Sequence, residues 1–593
     1  MVVVEPGGMF EMVTRRVHRL WLALLLAFAM TAAACGGSDD DSQADDGGGD
    51  ADEPAAEEPT DDLVEEAQEA ALDDNETGTN TADVGGEGDS VGGRTEIGAE
   101  DALEGGEIIY AIDSDGAGFD TTGAIQPGSI RIATAVVESL TQLLADGSWN
   151  PLLAESLTPN DDFTVWTIRF RPDVLFHDGE TLDAEAAKAN LDAFKNSSLT
   201  GFAVSYVDEY VVVDDLTLEV RMSQPWSSYP YALTAQGGWM VSPSTIGTVD
   251  HMTGTGPFVM GEWTPGDGVR VERFDDYWRA DEGIPILDAV QFKVVPEQTA
   301  RAAALEAGDI DAYATPSDGQ LLEYLADDGV NVYQSGLGGN EFLIVPNLNN
   351  APLDDLRIRQ ALMFAVDREL LIENFRSGLT QKASSFIEPS SRWYVETDYP
   401  DFDMATAQAL VAEYEAENGD AVFTLSVQNR ESVTEVADFV ISFWEEAGIE
   451  VEVRLLEPGA DVPSVIQDDF DAITWFQHSA GDPDGEWVFF NSVGGTSFLN
   501  WSNHQLAELD EVLNTGRSTD DFDTRFAAYE RMQQIFAEEL PLLWFDHLSG
   551  QEGVVAASYL DGLNGALFPD GSEGAGVVGG SFHSYAGIFY VAE

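Results

Sequence analysis

At Gly105 the chain changes character, and that break decides where folding can begin. Residues 36–104 are mainly Asp, Glu, Gly, Ala and Thr, with no aromatic side chain and one basic residue, Arg94. Such a stretch buries too little apolar surface to offset the entropy of ordering it. It is expected to be an acidic, disordered tether, with a reach of roughly 45 Å as a flexible coil and more under like-charge repulsion. From "GGEIIYAID", Gly105–Asp113, β-rich runs and amphipathic segments alternate to the C-terminus, which predicts an α/β fold.

Ahead of the tether stand Arg15, Arg16 and Arg19, an apolar run Leu20–Met30, and Ala32, Ala33 and Ala34 before Cys35. This is the layout of a secretory signal over residues 1–35. The apolar run falls short of the roughly 20 residues that a spanning helix needs. Cys35 is the only cysteine, so no internal disulfide can form, and its position makes it a candidate lipid acceptor. The stretch resembles a bacterial lipoprotein signal, with Ala32 where such signals usually carry Leu. Cleavage after Ala34 with a free thiol is the alternative. Thr14-Arg15-Arg16 has the outline of a twin-arginine signal, a pair common in any basic leader.

The net charge of −83, from 109 acidic and 26 basic residues, excludes nucleic acid as a main partner, because phosphate backbones need clustered Lys and Arg. Lysine is confined to Lys188, Lys195, Lys293 and Lys382. Self-repulsion of this size predicts a surface suited to high salt, or one kept acidic for solubility.

Periodicity predicts helices over 131–145, 183–194, 298–307, 354–376, 404–417, 433–447 and 522–539. Strands are expected at 164–171, in a hairpin turning at Asp214-Asp215, and at 258–263, 269–274, 292–295, 342–345, 424–427 and 450–455. In "LFHDGETLDAEAAKANLDAF" Asp183 reads as a helix N-cap, and His177-Asp178-Gly179 as a turn with no nucleophile or metal partner beside it. The seven histidines show no HExxH or paired spacing, which leaves a zinc site unsupported, and no GxSxG elbow is present. "GTGPFVMG", Gly254–Gly261, leads into a strand and not a helix N-terminus, so it is no phosphate loop. "DSDGAGFD" from Asp113 lacks the ligands of a calcium loop. No catalytic residue, cofactor or metal is expected.

Six segments occur in the order seen in one family: "VVESLTQLLADGSWNPLLAESL", "WTIRFRPDVLFHDGETLDAEAAKANLDAF", "GTGPFVMGEWTPGDGVRVERFDDYW", "AALEAGDID", "PLDDLRIRQALMFAVDRELL" and "FWEEAGIEVEV". From Gly105 onward the chain resembles the extracytoplasmic solute-binding proteins of ABC importers, family 5, which includes dipeptide-, oligopeptide- and nickel-binding members. The resemblance implies a class II periplasmic-binding-protein-like α/β fold, with two lobes joined by a hinge and an extra subdomain inserted in lobe I. Lobe I would comprise 105–311 and 545–593 with the insert at about 149–250, and lobe II 312–544, with hinge crossings near Asp311 and Phe545.

It further implies a monomeric lipoprotein, not an enzyme, in the periplasm or on the outer face of the cytoplasmic membrane. There it would capture a peptide or similar small solute and deliver it to permease subunits. A clamshell sensory receptor, or a binding protein for a sugar or metal chelate, is the alternative. Candidate ligand contacts are Phe119, Trp239, Arg392, Trp393, Trp475, His478, Asp482, Asn500 and Trp501. Peptide-binding members carry an acidic residue three positions before an Asp-Pro or Glu-Pro step, where Ser479 stands here, so Asp482 or Asp484 is the candidate substitute.

Overall fold

The computed structural model describes residues 102–563 and 589–591, apart from 104, 117, 124–126, 145, 315–317, 326–328, 335–339, 458–459, 479–480, 494–498 and 549–552. The chain divides into residues 1–58 and 59–593. The former falls outside the described residues, as do the expected signal, Cys35 and the tether as far as 101, so the fold below is that of the latter.

Two sheets organise it. The first has seven strands in the order Phe258–Met260, Gly268–Arg273, Ala289–Val294, Glu107–Ile112, Ala312–Ala314, Gly553–Ala557 and Val330–Gln334. Its central strand Glu107–Ile112 runs parallel to both neighbours, and Ile108, Tyr110, Ala111 and Ile112 are fully buried. Burial on both faces is why "IIYAI" reads as a continuous apolar run with no polar alternation. The second sheet has six strands: Gln381–Lys382, Leu543–His547, Asn340–Pro346, Ala472–His478, Val422–Gln428 and Glu450–Leu456. Between Glu107–Ile112 and Phe258–Met260 the chain inserts a four-stranded antiparallel sheet, 154–222, covered by the helix Ala184–Asn196. Asp183 caps that helix by accepting from the Ala186 amide at 2.8 Å. The result is the two-lobed α/β fold with an insert in its first lobe.

Several sequence expectations need correction. Ala312–Ala314 and Val330–Gln334 pair in the first sheet, and Tyr313 and Val332 pack with Leu305, Leu321 and Val555. The second lobe therefore spans about 340–547, and the chain passes between sheets within 335–339 and 548–552, not at Asp311 and Phe545. Ala102–Leu103 pairs with Tyr590–Val591, so the tether cannot extend to 104. The first helix covers Pro127–Val136 and stops well before 145. There the Gly256 amide takes the Val136 carbonyl at 2.9 Å, and a Cβ on Gly254 would sit 2.0 Å from that same oxygen. The glycines of "GTGPFVMG" thus serve this close backbone approach. The helix expected over 354–376 is two, Leu356–Ala365 and Arg368–Phe375, because Asp367 leaves helical geometry and caps the Leu370 amide at 3.0 Å. The helix Ala507–Arg517 carries no side-chain cap and gave no start signal.

The His177 turn is structural. Gly179 sits at φ 86°, His177 Nε2 meets the Gly256 carbonyl oxygen at 2.9 Å, and Asp178 accepts from Ser242 at 2.6 Å. Burial holds the His177 imidazole down to about 4, so it is neutral at pH 7 and pins the insert to the 254–256 loop.

Candidate functional site

Asn340, His478 and His547 end neighbouring strands of the second sheet and so share one edge of it. Aromatic residues line its approach. Trp475 packs edge-on to Trp501 with centroids 4.3 Å apart, Trp501 meets Phe489 at 5.2 Å, and Phe489 meets Phe202 of the insert at 6.5 Å. This chain of rings carries the second lobe's surface to the first. The Trp501 indole N–H is buried and makes no hydrogen bond among the described residues.

Arg392 crosses the same boundary. Its Nη2 donates to the Tyr231 hydroxyl at 2.9 Å, its guanidinium lies 5.0 Å from the Trp393 ring centroid, and Tyr231 in turn donates to the Gly147 carbonyl at 3.2 Å. Tyr231 is displaced upward in pKa by burial first and then by the negative charge of Asp482, with Arg392 acting in the opposite sense. The hydroxyl therefore stands between an acid and a base of the second lobe.

The remaining expected contacts separate into groups. Phe119 is buried against Trp263, at 5.1 Å edge-to-face, and Trp239 pairs in a short ladder with Ser139, so both serve the first lobe's core. Trp393 is buried between Phe522 and Tyr529, and its carbonyl accepts from Gln533. Asn500 holds a loop, donating to the His504 carbonyl at 2.9 Å and accepting from Ser502. These four have packing or loop-fixing partners among the described residues. His478 ends its strand opposite Asn340, but its side chain, like Ser479, lies outside the described residues.

Asp482 and Asp484 are both ion-paired. Asp482 Oδ1 takes Arg525 Nη2 at 2.6 Å, while its Oδ2 is buried without a hydrogen bond among the described residues. Asp484 is saturated. Arg517 Nε and Nη2 donate at 2.6 and 3.0 Å, and Trp226 Nε1 and the Ser228 hydroxyl of the insert at 2.7 and 2.6 Å. Burial opposes its ionisation, but the charge and hydrogen bonds of Arg517, then Ser228 and Arg525, carry its pKa below the ordinary value. Arg517 lies 4.1 Å from the Trp487 ring centroid, 4.6 Å from Trp226 and 4.8 Å from Tyr206. Asp484 thus fastens the insert to the second lobe, which corrects its candidacy as a ligand anchor.

Sequence reasoning missed one group altogether. Glu341, Glu388 and His547 are all buried, and each offers a donor atom within 4.8 Å of the others. Burial, with the charge of Arg368, holds the His547 imidazole down to about 3. The only trace in sequence is polar residues inside apolar runs, "EFLIV" and "LLWFDHL"; separations of 47 and 159 residues hide the grouping.

Residues 148–500 match the family model described as Bacterial extracellular solute-binding proteins, family 5 Middle. The chain belongs to this family. It captures a solute for import. Glutathione-binding protein GsiB of Salmonella paratyphi A is 26% identical over 469 residues, covering 76% of this chain and 91% of its own. Among solved structures, a dipeptide-binding protein from Pseudoalteromonas sp. SM9913 in complex with Met-Leu superposes with a TM-score of 0.69 at 19% identity, covering 82% of this chain and 100% of that one. AgaA in complex with agropinic acid superposes with a TM-score of 0.70 at 21% identity, covering 82% and 99%. At these identities the structures establish the fold alone. Members of the family are extracytoplasmic binding proteins, and no helix among the described residues is long and apolar enough to cross a membrane.

Proposed function

We propose that the protein binds a short peptide, or a zwitterionic solute of similar size, between its lobes and hands it to ABC permease subunits, held at the cell envelope through lipidated Cys35. It acts as a monomer and makes or breaks no covalent bond. The observation that carries this reading is the pair of opposite charges flanking Tyr231. Asp482 presents one buried carboxylate oxygen, and Arg392 a buried Nε, neither hydrogen-bonded to a described residue. A ligand ammonium and carboxylate complement these two groups, with Trp501 and Trp475 packing on the chain between. The glutathione-binding relative and the dipeptide-binding protein holding Met-Leu agree in ligand class.

A solute that touches both lobes shifts the open and closed populations by its preference for the closed form, and turning a mostly open ensemble mostly closed takes roughly 5.5 kcal/mol of differential affinity. Calorimetric titration with glutathione, Met-Leu and a mixed peptide library tests the assignment. Saturable binding is expected, weakened at least about tenfold by Trp501→Ala, as loss of a buried aromatic anchor predicts. Melting temperatures unmoved by every peptide in the library would remove the peptide assignment.

A further inference from the structure

We infer that Glu341, Glu388 and His547 form a binding site for one divalent transition-metal ion of the zinc class at the hinge edge of the second lobe. The geometry carries it. His547 Nδ1 lies 3.5 Å from Glu341 Oε1, too long for a hydrogen bond. Two donors bonded to one zinc ion at about 2.0–2.2 Å in a tetrahedron stand roughly 3.3–3.6 Å apart, so this separation matches two ligands of a shared ion. Glu388 offers its oxygen within 4.8 Å of both. It sits in an irregular segment between Gln381–Lys382 and the helix Met404–Asn418.

The second observation is the imidazole itself. His547 is 2% exposed, and neither ring nitrogen makes a hydrogen bond among the described residues. A buried ring normally has at least one nitrogen engaged. An imidazole with an accessible lone pair beside two carboxylates is the donor set that suits zinc and its neighbours over magnesium or calcium, which favour all-oxygen shells. Two neighbouring guanidiniums have partners of their own, and Arg368 keeps a buried Nε without a hydrogen bond among the described residues. Arg376 Nε is bound to Asp546 at 2.7 Å, and Arg368 donates to the carbonyl oxygens of Ala383 and Pro400. Three protein ligands leave a fourth position, open to water or to a donor atom of the solute. Glu341 and His547 are register partners on neighbouring strands of the second sheet, so one ion would tie these two strands together. The site needs no peptide, and it stands or falls apart from the peptide assignment.

The test uses the full chain, stripped with EDTA and titrated calorimetrically with zinc chloride and separately with cobalt chloride, whose visible absorption reports its ligands. One ion per chain is expected, with a tetrahedral or five-coordinate cobalt spectrum and a rise in Tm on zinc addition. Glu388→Gln and His547→Asn are each expected to weaken zinc binding at least about tenfold. Glu388→Gln is nearly isosteric, and its metal-free Tm, compared with that of the parent, verifies that it folds. Absence of saturable binding at one ion per chain overturns the site. Binding that both variants leave unchanged also overturns it, and assigns the ion to the acidic residues of 36–104. If zinc never binds but Glu388→Gln abolishes Met-Leu binding, the cluster holds a solute ammonium and the metal site is wrong.

Discussion

Two groups of buried ionisable side chains sit on the same lobe at similar depth, and they are built in opposite ways. Around Asp484 every formal charge has a matched partner: Arg517 supplies two hydrogen bonds, Trp226 and Ser228 two more, and three aromatic rings surround the guanidinium. Around His547 two carboxylates and an imidazole converge with no cation among the three. A closed ionic group holds parts together. The other has the donor set proposed above for a metal ion. The difference teaches that depth of burial alone does not mark a functional residue, since Asp484 is as buried as Glu341 and does a fastener's job.

The largest expected effect comes from breaking the closed group. Asp484→Asn leaves Arg517 buried without its counter-charge and should cost about 3–5 kcal/mol, read as a lower urea midpoint. It should also loosen the insert from the second lobe, so proteolysis within 201–228 should quicken. An unchanged midpoint would show that the aromatic stack, not the carboxylate, holds Arg517.

Acid separates the groups next. Because the pKa of Asp484 is lowered on folding, its stability is present above the unfolded aspartate value near ~3.9 and is lost only as pH falls through the still lower folded value. The buried His547, held down to about 3, and His504 and His177, both held down to about 4, act earlier, against 6.5 when unfolded. Between those values the unfolded chain binds the proton first, so stability declines on acidification from pH 6.5 to 4. His504 accounts for up to about 3 kcal/mol and the less buried His177 for less. Urea midpoints at pH 7, 5.5 and 4.5 should trace this decline, and His504→Asn should flatten it. A decline appearing only below pH 4 would assign acid sensitivity to Asp484 instead.

The smallest effect belongs to the open group. In EDTA, Glu388→Gln keeps the size of a side chain whose donor oxygen lies within 4.8 Å of Glu341 and His547, so the metal-free urea midpoint should fall by less than that of Asp484→Asn. A loss as large as that of Asp484→Asn would erase the contrast.

Much of the fold was legible because its signals are local. Asp183 caps its helix where the sequence places it, the helices expected from 404 and 522 start there behind Asp403 and Asp521, and the hairpin turns at Asp215-Leu216, one residue past the expected pair. What was hidden was long-range. Val330–Gln334 reads as an ordinary strand, and nothing in it says that Gly553–Ala557, more than two hundred residues on, is its partner. Of the expected site, Arg392 reaches Tyr231, and Trp475 packs on Trp501 within the second lobe. Phe119 and Trp239 serve the first lobe's core, because an aromatic ring looks the same in sequence whether it faces a cleft or a core. Glu341 was passed over because the strand "FLIV" drew attention away from the acid at its edge.

The ribbon formed by Ala102–Leu103 and Phe589–Val591 has a mechanical consequence. A pull applied at Ala102 enters the folded body there, and Phe589–Val591 passes it to Leu560–Asp561 in the first lobe. Deleting residues 589–593 would remove the strand that Ala102–Leu103 pairs with, so a cut made nearly five hundred residues away would loosen this point of entry.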